Sequence, residues 1–187
     1  MSVGTRGELL KIAEVQLRSK GYSAFSYADL AVEVGIRKAS IHHHFPTKEK
    51  LGEELLKEYI ARFTNTLSAI EESFADPVMQ LKQFAHLFHA SINDGLLPLC
   101  GALAAEMSEL PVSLKSFTRM IFEMQIDWLE KSLGRAVQMY GWSLTRPPRE
   151  YAFMLLSILE GVSFVEWTLG ASGDPLAGFN YLLGTLA

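Results

Sequence analysis

From Leu51 to Phe74 the apolar side chains fall in steps of four and three: Leu51, Leu55, Tyr59, Phe63, Leu67, Ile70 and Phe74. That is the period of a helix with one buried face. The same period recurs along the chain, and no stretch alternates apolar and polar residues as a half-buried strand does. A chain patterned in this way buries its stripes by packing helix on helix, so an all-α fold is expected.

Capping residues, glycines and prolines divide the chain. Residues 5–20 carry Leu9, Ile12, Ala13 and Leu17 on one face, and Gly21 stops them. Residues 27–34 start after Ser26, a good N-cap, and end at Gly35. Residues 38–44 form a third helix that stops before Pro46. A long helix begins near Thr47, and Asp76-Pro77 ends it and opens 77–94. Further helices are expected at 99–109, 113–140, 148–170 and 174–186, the last two separated by GASGD. The 113–140 segment is apolar on two faces, through Phe117, Ile121, Met124 and Trp128 and through Phe122, Ile126, Leu129 and Leu133, which predicts a sandwiched helix. The expected organisation is a three-helix head, residues 1–47, and a six-helix body, residues 48–187.

Hydrophobic residues at 49% and charged residues at 20% favour a packed core over disorder. A single cysteine, Cys100, excludes an intrachain disulfide, so a reducing cytoplasm is the expected compartment. The first fifteen residues lack a long apolar run, and no signal peptide is expected. The stretch FMLLSILEGVSFVEW is interrupted by Glu160 and Glu166, and no membrane span is expected there. The net charge is −4, but unevenly placed: residues 1–50 hold 8 Lys/Arg against 5 Asp/Glu, and residues 51–187 hold 9 against 16. A basic end on an acidic body suits a protein that offers one end to a polyanion.

In the head, Gly35 supplies a turn between two short helices, and Ile36 is expected to plug a small core. Leu30, Val34, Ile36, Ile41 and Phe45 share that core with Leu9, Ile12 and Phe25. This leaves Arg37, Lys38, Ala39, Ser40, His42, His43 and His44 toward the other surface of the third helix. Arg and Lys suit guanine or phosphate, Ser suits either, and Ala suits a thymine methyl in a major groove. Three consecutive histidines project about 100° apart on a helix and cannot converge on one metal.

The stretch FSYADLAVEVGIRKASIHHHFPTKEKL resembles the DNA-binding head of the TetR family of transcriptional regulators. Gly35-Ile36, Ser40, His44-Phe45, and Lys48 followed by Leu51 carry the likeness, which covers residues 8–55 by motif and the rest by length and helix order. The resemblance implies a cytoplasmic homodimer that binds a palindromic operator, most simply a repressor, and is released by a small effector. It implies no cofactor. It assigns Lys38, Ala39, Ser40 and His43 to base edges and Ser26, Tyr27, His42 and Lys48 to phosphates. His42 stands where the family typically has tyrosine, and an imidazole has less reach and a titratable charge. Packing between head and long helix is the expected role of His44.

The resemblance also implies an effector pocket in the body. Phe84, Phe88, Cys100, Leu103, Met107, Phe117, Met120, Met124, Trp128, Phe164 and Trp167 would line it for a mainly apolar ligand, with ordinary core packing as the alternative for each. Cys100 opens a helix, where a thiol becomes more acidic, so a redox- or electrophile-sensing regulator is an alternative; a small buried hydrophobe is the plainer one. His86 and His89 could join Cys100 or Glu106 at a metal, or simply hydrogen-bond. Glu106 and Glu109 lie three apart, but no base, nucleophile or oxyanion donors accompany them, and no enzyme is expected. The last two helices are expected to form the dimer. Ser157, Gly161, Ala177 and Gly178 permit close approach, while Phe153, Phe164, Phe179, Tyr181 and Leu182 supply apolar area. Covering the body's own core is the alternative.

Overall fold

The computed structural model describes residues 5–170 and 173–186; Ala171 and Ser172, within the expected GASGD connection, lie outside them. The described residues form nine helices and no strand: α1 (Thr5–Lys20), α2 (Tyr27–Val34), α3 (Lys38–His44), α4 (Lys48–Ser73), α5 (Pro77–Asn93), α6 (Leu99–Ala105), α7 (Val112–Tyr140), α8 (Pro148–Leu169) and α9 (Ala177–Gly184). The fold is all-α, as the periodicity requires.

Two compact units emerge, and they do not follow the 47/48 boundary expected from the sequence. One comprises the chain up to Arg62 with Leu99–Met120; the other comprises Phe63–Pro98 with the chain from Ile121 onward. The reason is length: α4 and α7 each run through both units.

In the first unit, Leu9, Leu17, Leu30, Ile41, Phe45, Leu51, Leu55 and Leu56 are fully buried. Ser26 caps α2 through a reciprocal box with Asp29, and Gly35 ends the helix at φ 74°, donating its N–H to the Ala31 carbonyl. That left-handed turn suits glycine alone among common residues. Ile12, Val34 and Ile36, expected in the core, are only half-buried. The Ile36 N–H bonds Ala31 O at 3.0 Å, so the turn is held by its backbone as well as by side-chain packing.

In the second unit, Asp76 caps α5 through the Val78 N–H at 2.8 Å, with Pro77 in the first turn. Phe84 stacks on Trp128 (centroids 5.3 Å, 18° between planes) and meets Phe63 and Phe88 edge-on or tilted. Leu81, Leu129, Leu133, Leu155, Leu159 and Phe179 complete a solid core around these rings.

Candidate nucleic-acid interface

Helix α3 divides cleanly across its width. Ile41, with Phe45 just beyond the helix, is buried, whereas Arg37, Lys38, Ala39, Ser40, His42 and His43 are exposed. Neither Arg37 nor Lys38 has an ion-pair partner among the described residues. Two free cations, a hydroxyl and a methyl therefore share one short convex helix that is anchored from behind. His44 is half-buried and tilts against the Phe45 ring at 6.4 Å, which fits packing.

The four residues expected on phosphates are placed differently from one another. Ser26 is exposed, but its hydroxyl accepts the Ala28 and Asp29 N–H groups at 3.2 and 3.4 Å and donates to the Asp29 carboxylate at 2.7 Å. The bonds it accepts from the Ser26 hydroxyl and from the Ser26 backbone N–H hold the Asp29 carboxyl below its ordinary range. His42 is exposed; its Nδ1–H donates to the Pro46 carbonyl at 3.3 Å and its ring stands edge-on to Tyr27 at 4.9 Å. With Nδ1 used in this way, Nε2 is the acceptor nitrogen of the neutral ring.

Tyr27 and Lys48 turn their polar ends inward in the free chain. Tyr27 is buried, and its O–H donates to the Phe45 carbonyl at 2.9 Å, tying the start of α2 to the end of α3. Burial pushes its phenol up to about 12, with the neighbouring Tyr22 adding to the shift. The Lys48 ammonium donates to the Phe25 carbonyl and lies 4.4 Å from the Phe25 ring centroid and 4.6 Å from that of Tyr22. Desolvation there lowers its pKa, with the Glu106 and Asp29 carboxylates opposing. Both side chains spend their polar ends on holding the head together. Phe25 was expected in this core, whereas nothing in the sequence pattern marked Tyr22 and Glu106 as partners of Lys48. The long helix expected to begin near Thr47 does so, with Thr47 Oγ1 accepting the Lys50 N–H at 3.0 Å.

A family model described as "Bacterial regulatory proteins, tetR family" matches residues 9–55. A solved transcriptional regulator of the TetR family from Agrobacterium tumefaciens matches with a TM-score of 0.85 at 30% identity, over 96% of this chain and 94% of that one. The chain belongs to the TetR family. A TetR transcriptional regulator from Legionella pneumophila matches with a TM-score of 0.89 at 26% identity, over 100% of this chain and 99% of that one. The transcriptional repressor KstR2 of Mycobacterium tuberculosis is 34% identical over 77 residues, which are 41% of this chain and 38% of that protein. The repressor DhaR of a Mycobacterium species is 28% identical over 117 residues, or 61% and 58%. The chain thus matches from about two fifths to under three fifths of the length of these two curated relatives.

In this TetR-family chain the residues expected to line an effector pocket come from both units. Cys100, Leu103, Met107, Phe117 and Met120 belong to the first unit, while Phe84, Phe88, Met124, Trp128, Phe164 and Trp167 belong to the second. Phe84, Phe88 and Trp128 are packed into the second unit's core, and Cys100 and Leu103 are buried in the first. Met107, Phe117, Met124 and Phe164 are half-buried, and Met120 and Trp167 are exposed. Apolar mass had identified buried helix faces, which a packed core explains as well as a cavity does.

The Cys100 alternative is not favoured. The thiol is 1% exposed, and α6 is only seven residues long, so an oxidant lacks access and the helix end offers little field. His86 and His89 belong to the second unit, Cys100 and Glu106 to the first. Among the described residues no three His, Cys, Asp or Glu side chains are grouped to hold a metal ion.

Of the residues expected at a dimer interface, Phe179 is instead buried in the second unit's core, and the other eight reach the surface. Phe153, Ser157, Gly161, Ala177, Gly178 and Tyr181 are exposed, and Phe164 and Leu182 half-buried. Phe153 at 62% and Tyr181 at 76% exposure are too apolar and too open to be covering their own core. By length and composition alone α8 could also cross a membrane, with 33% of its most apolar window buried.

Proposed function

We propose that the protein is a transcriptional repressor that binds a palindromic operator as a homodimer and is released by a small, mainly apolar effector. The observation that carries this reading is the exposed face of α3, where Arg37, Lys38, Ala39, Ser40 and His43 are open to solvent above buried Ile41. Arg37 and Lys38 contact phosphate or guanine, Ser40 and His43 donate to base edges, and Ala39 meets a thymine methyl. Ser26 and His42 flank this face as phosphate contacts. The exposed apolar face of α8 and α9 pairs with that of a second copy, placing two heads about 34–36 Å apart, one turn of duplex.

Release follows from linkage. Effector binding among the body's aromatic residues favours a head spacing different from that of the operator complex. A coupling of roughly 1–3 kcal/mol changes operator affinity by roughly 5–150-fold. Helix α4, which starts at the head and continues into the second unit, is the natural lever. Soluble and cytoplasmic placement goes with this role.

The test is duplex binding by fluorescence anisotropy across a salt series. The logarithm of the affinity is expected to fall linearly with that of salt concentration, and replacing Arg37 and Lys38 by Ala lowers the slope by about two. A slope unaffected by the double replacement would remove α3 from the interface.

A further inference from the structure

The second unit contains an open cleft of about 410 Å³ at which none of the residues discussed so far as pocket or interface is found. Its apolar floor is Val78 of α5, Leu176 just before α9, and Leu183 of α9. Trp142 forms a wall, its indole stacked on Tyr140 at 6.3 Å. The rim is cationic and polar: Lys82 and His86 stand one helical turn apart on α5, and Asn180 faces from α9. Lys82 and His86 are exposed, and neither has an ion-pair or hydrogen-bond partner among the described residues. Asp76, at the start of α5, is already committed: it accepts the Val78 N–H and the Tyr140 hydroxyl. Bonding to that carboxylate raises the Tyr140 pKa.

We propose that this cleft binds an apolar monocarboxylate, its hydrocarbon body on Val78, Leu176, Leu183 and the Trp142 face and its carboxylate at Lys82. The volume is that of a small-molecule pocket, roughly 300–1,000 Å³, mostly apolar with a few orienting polar groups. A free ammonium beside an apolar floor selects a ligand with one anionic end. His86 and Asn180 add donors for the second carboxylate oxygen. On α9, Leu183 lies on the side opposite Gly178 and Tyr181, whereas Gly184, seven residues after Ala177, borders the face assigned to the dimer. This site is separate from the aromatic core assigned to the effector, and its existence does not depend on the regulatory reading.

Isothermal titration of the full chain with decanoate, decylammonium and decanol tests the proposal. Decanoate is expected to bind at least tenfold more tightly than decylammonium or decanol. Lys82→Gln is expected to weaken decanoate tenfold or more, the scale of one charge-assisted hydrogen bond, and to leave decanol unchanged. Val78→Trp, which fills the floor and keeps every charge, is expected to abolish all binding, with thermal unfolding checked to show an intact fold. Equal binding of decanoate and decylammonium, undiminished decanoate binding to Lys82→Gln, or no decanoate binding overturns the proposal.

Discussion

The Glu106 carboxylate accepts the backbone N–H of Ser23 at 2.8 Å, joining residues 83 positions apart in sequence. Its other oxygen lies 1.8 Å from where a side-chain carbon on Gly21 would stand, and Gly21 has φ +92°. The turn between α1 and α2 is therefore shaped around a carboxylate that follows α6. Loss of the bond leaves a backbone donor without its partner; Gly21→Ala adds strain and displaces the carboxylate. Glu106→Ala is expected to cost roughly 1–2 kcal/mol in urea unfolding. Gly21→Ala is expected to cost more, about 2–4 kcal/mol. Wild-type stability for both would remove this contact from the account of the head.

Lys48 separates a structural role from a DNA-contact role. Its ammonium is engaged with the Phe25 carbonyl and two aromatic rings. Lys48→Met keeps the stem and removes the charge. Stability is expected to fall by about 1–2 kcal/mol while the salt dependence of duplex binding keeps its slope. A slope lowered by about one, with stability unchanged, would return Lys48 to the phosphate backbone.

The buried phenols set an alkaline limit. Burial, reinforced by the Glu49 carboxylate, pushes Tyr22 from the ordinary 10.0 to about 12, and burial with Tyr22 beside it does the same for Tyr27. A phenol whose pKa is raised by folding ionises first in the unfolded chain. Its contribution is fully present below pH 10 and lost as pH rises toward 12. Urea midpoints are expected to fall across that window, and Tyr27→Phe to flatten the fall at some cost in stability at neutral pH through its lost bond to Phe45. Midpoints unchanged up to pH 12 would contradict the burial of these rings.

The apolar face of α8 and α9 predicts a specific quaternary change. Light scattering is expected to give a dimer for the wild type and a monomer for Phe153→Asp combined with Tyr181→Glu. These side chains are exposed in the single chain, so the monomer is expected to keep its helical content and melt cooperatively. A wild-type monomer at micromolar concentration, or partition into vesicles in place of dimerisation, would contradict the pairing.

Local chemistry made the head legible. Ser26, Gly35 and Pro46 mark boundaries that the structure reproduces at Tyr27–Val34 and Lys38–His44. Where stop signals are weak, the ends were misplaced. The helix expected at 99–109 ends at Ala105, because the Glu106 and Met107 N–H groups bond three residues back, to Leu103 and Ala104. The last helix starts at Ala177 rather than 174, since the Asp174 carboxylate bonds the Leu176 N–H and holds a turn before it. Periodicity showed which faces are buried. It did not show which distant polar group reaches them, so the partners of Lys48 and Glu106 were invisible. For the same reason periodicity does not distinguish the Phe84–Trp128 stack from a pocket lining.

Selection of bound duplexes from a randomised DNA library tests the central claim most directly. The account predicts enrichment of a palindrome whose half-sites are centred about 10–10.5 base pairs, or a small multiple of that, apart. It also predicts that Lys38→Ala combined with His43→Ala loses the preference at defined positions of each half-site. Enrichment of no sequence, or of the same palindrome with equal strength by the double variant, would contradict recognition through α3.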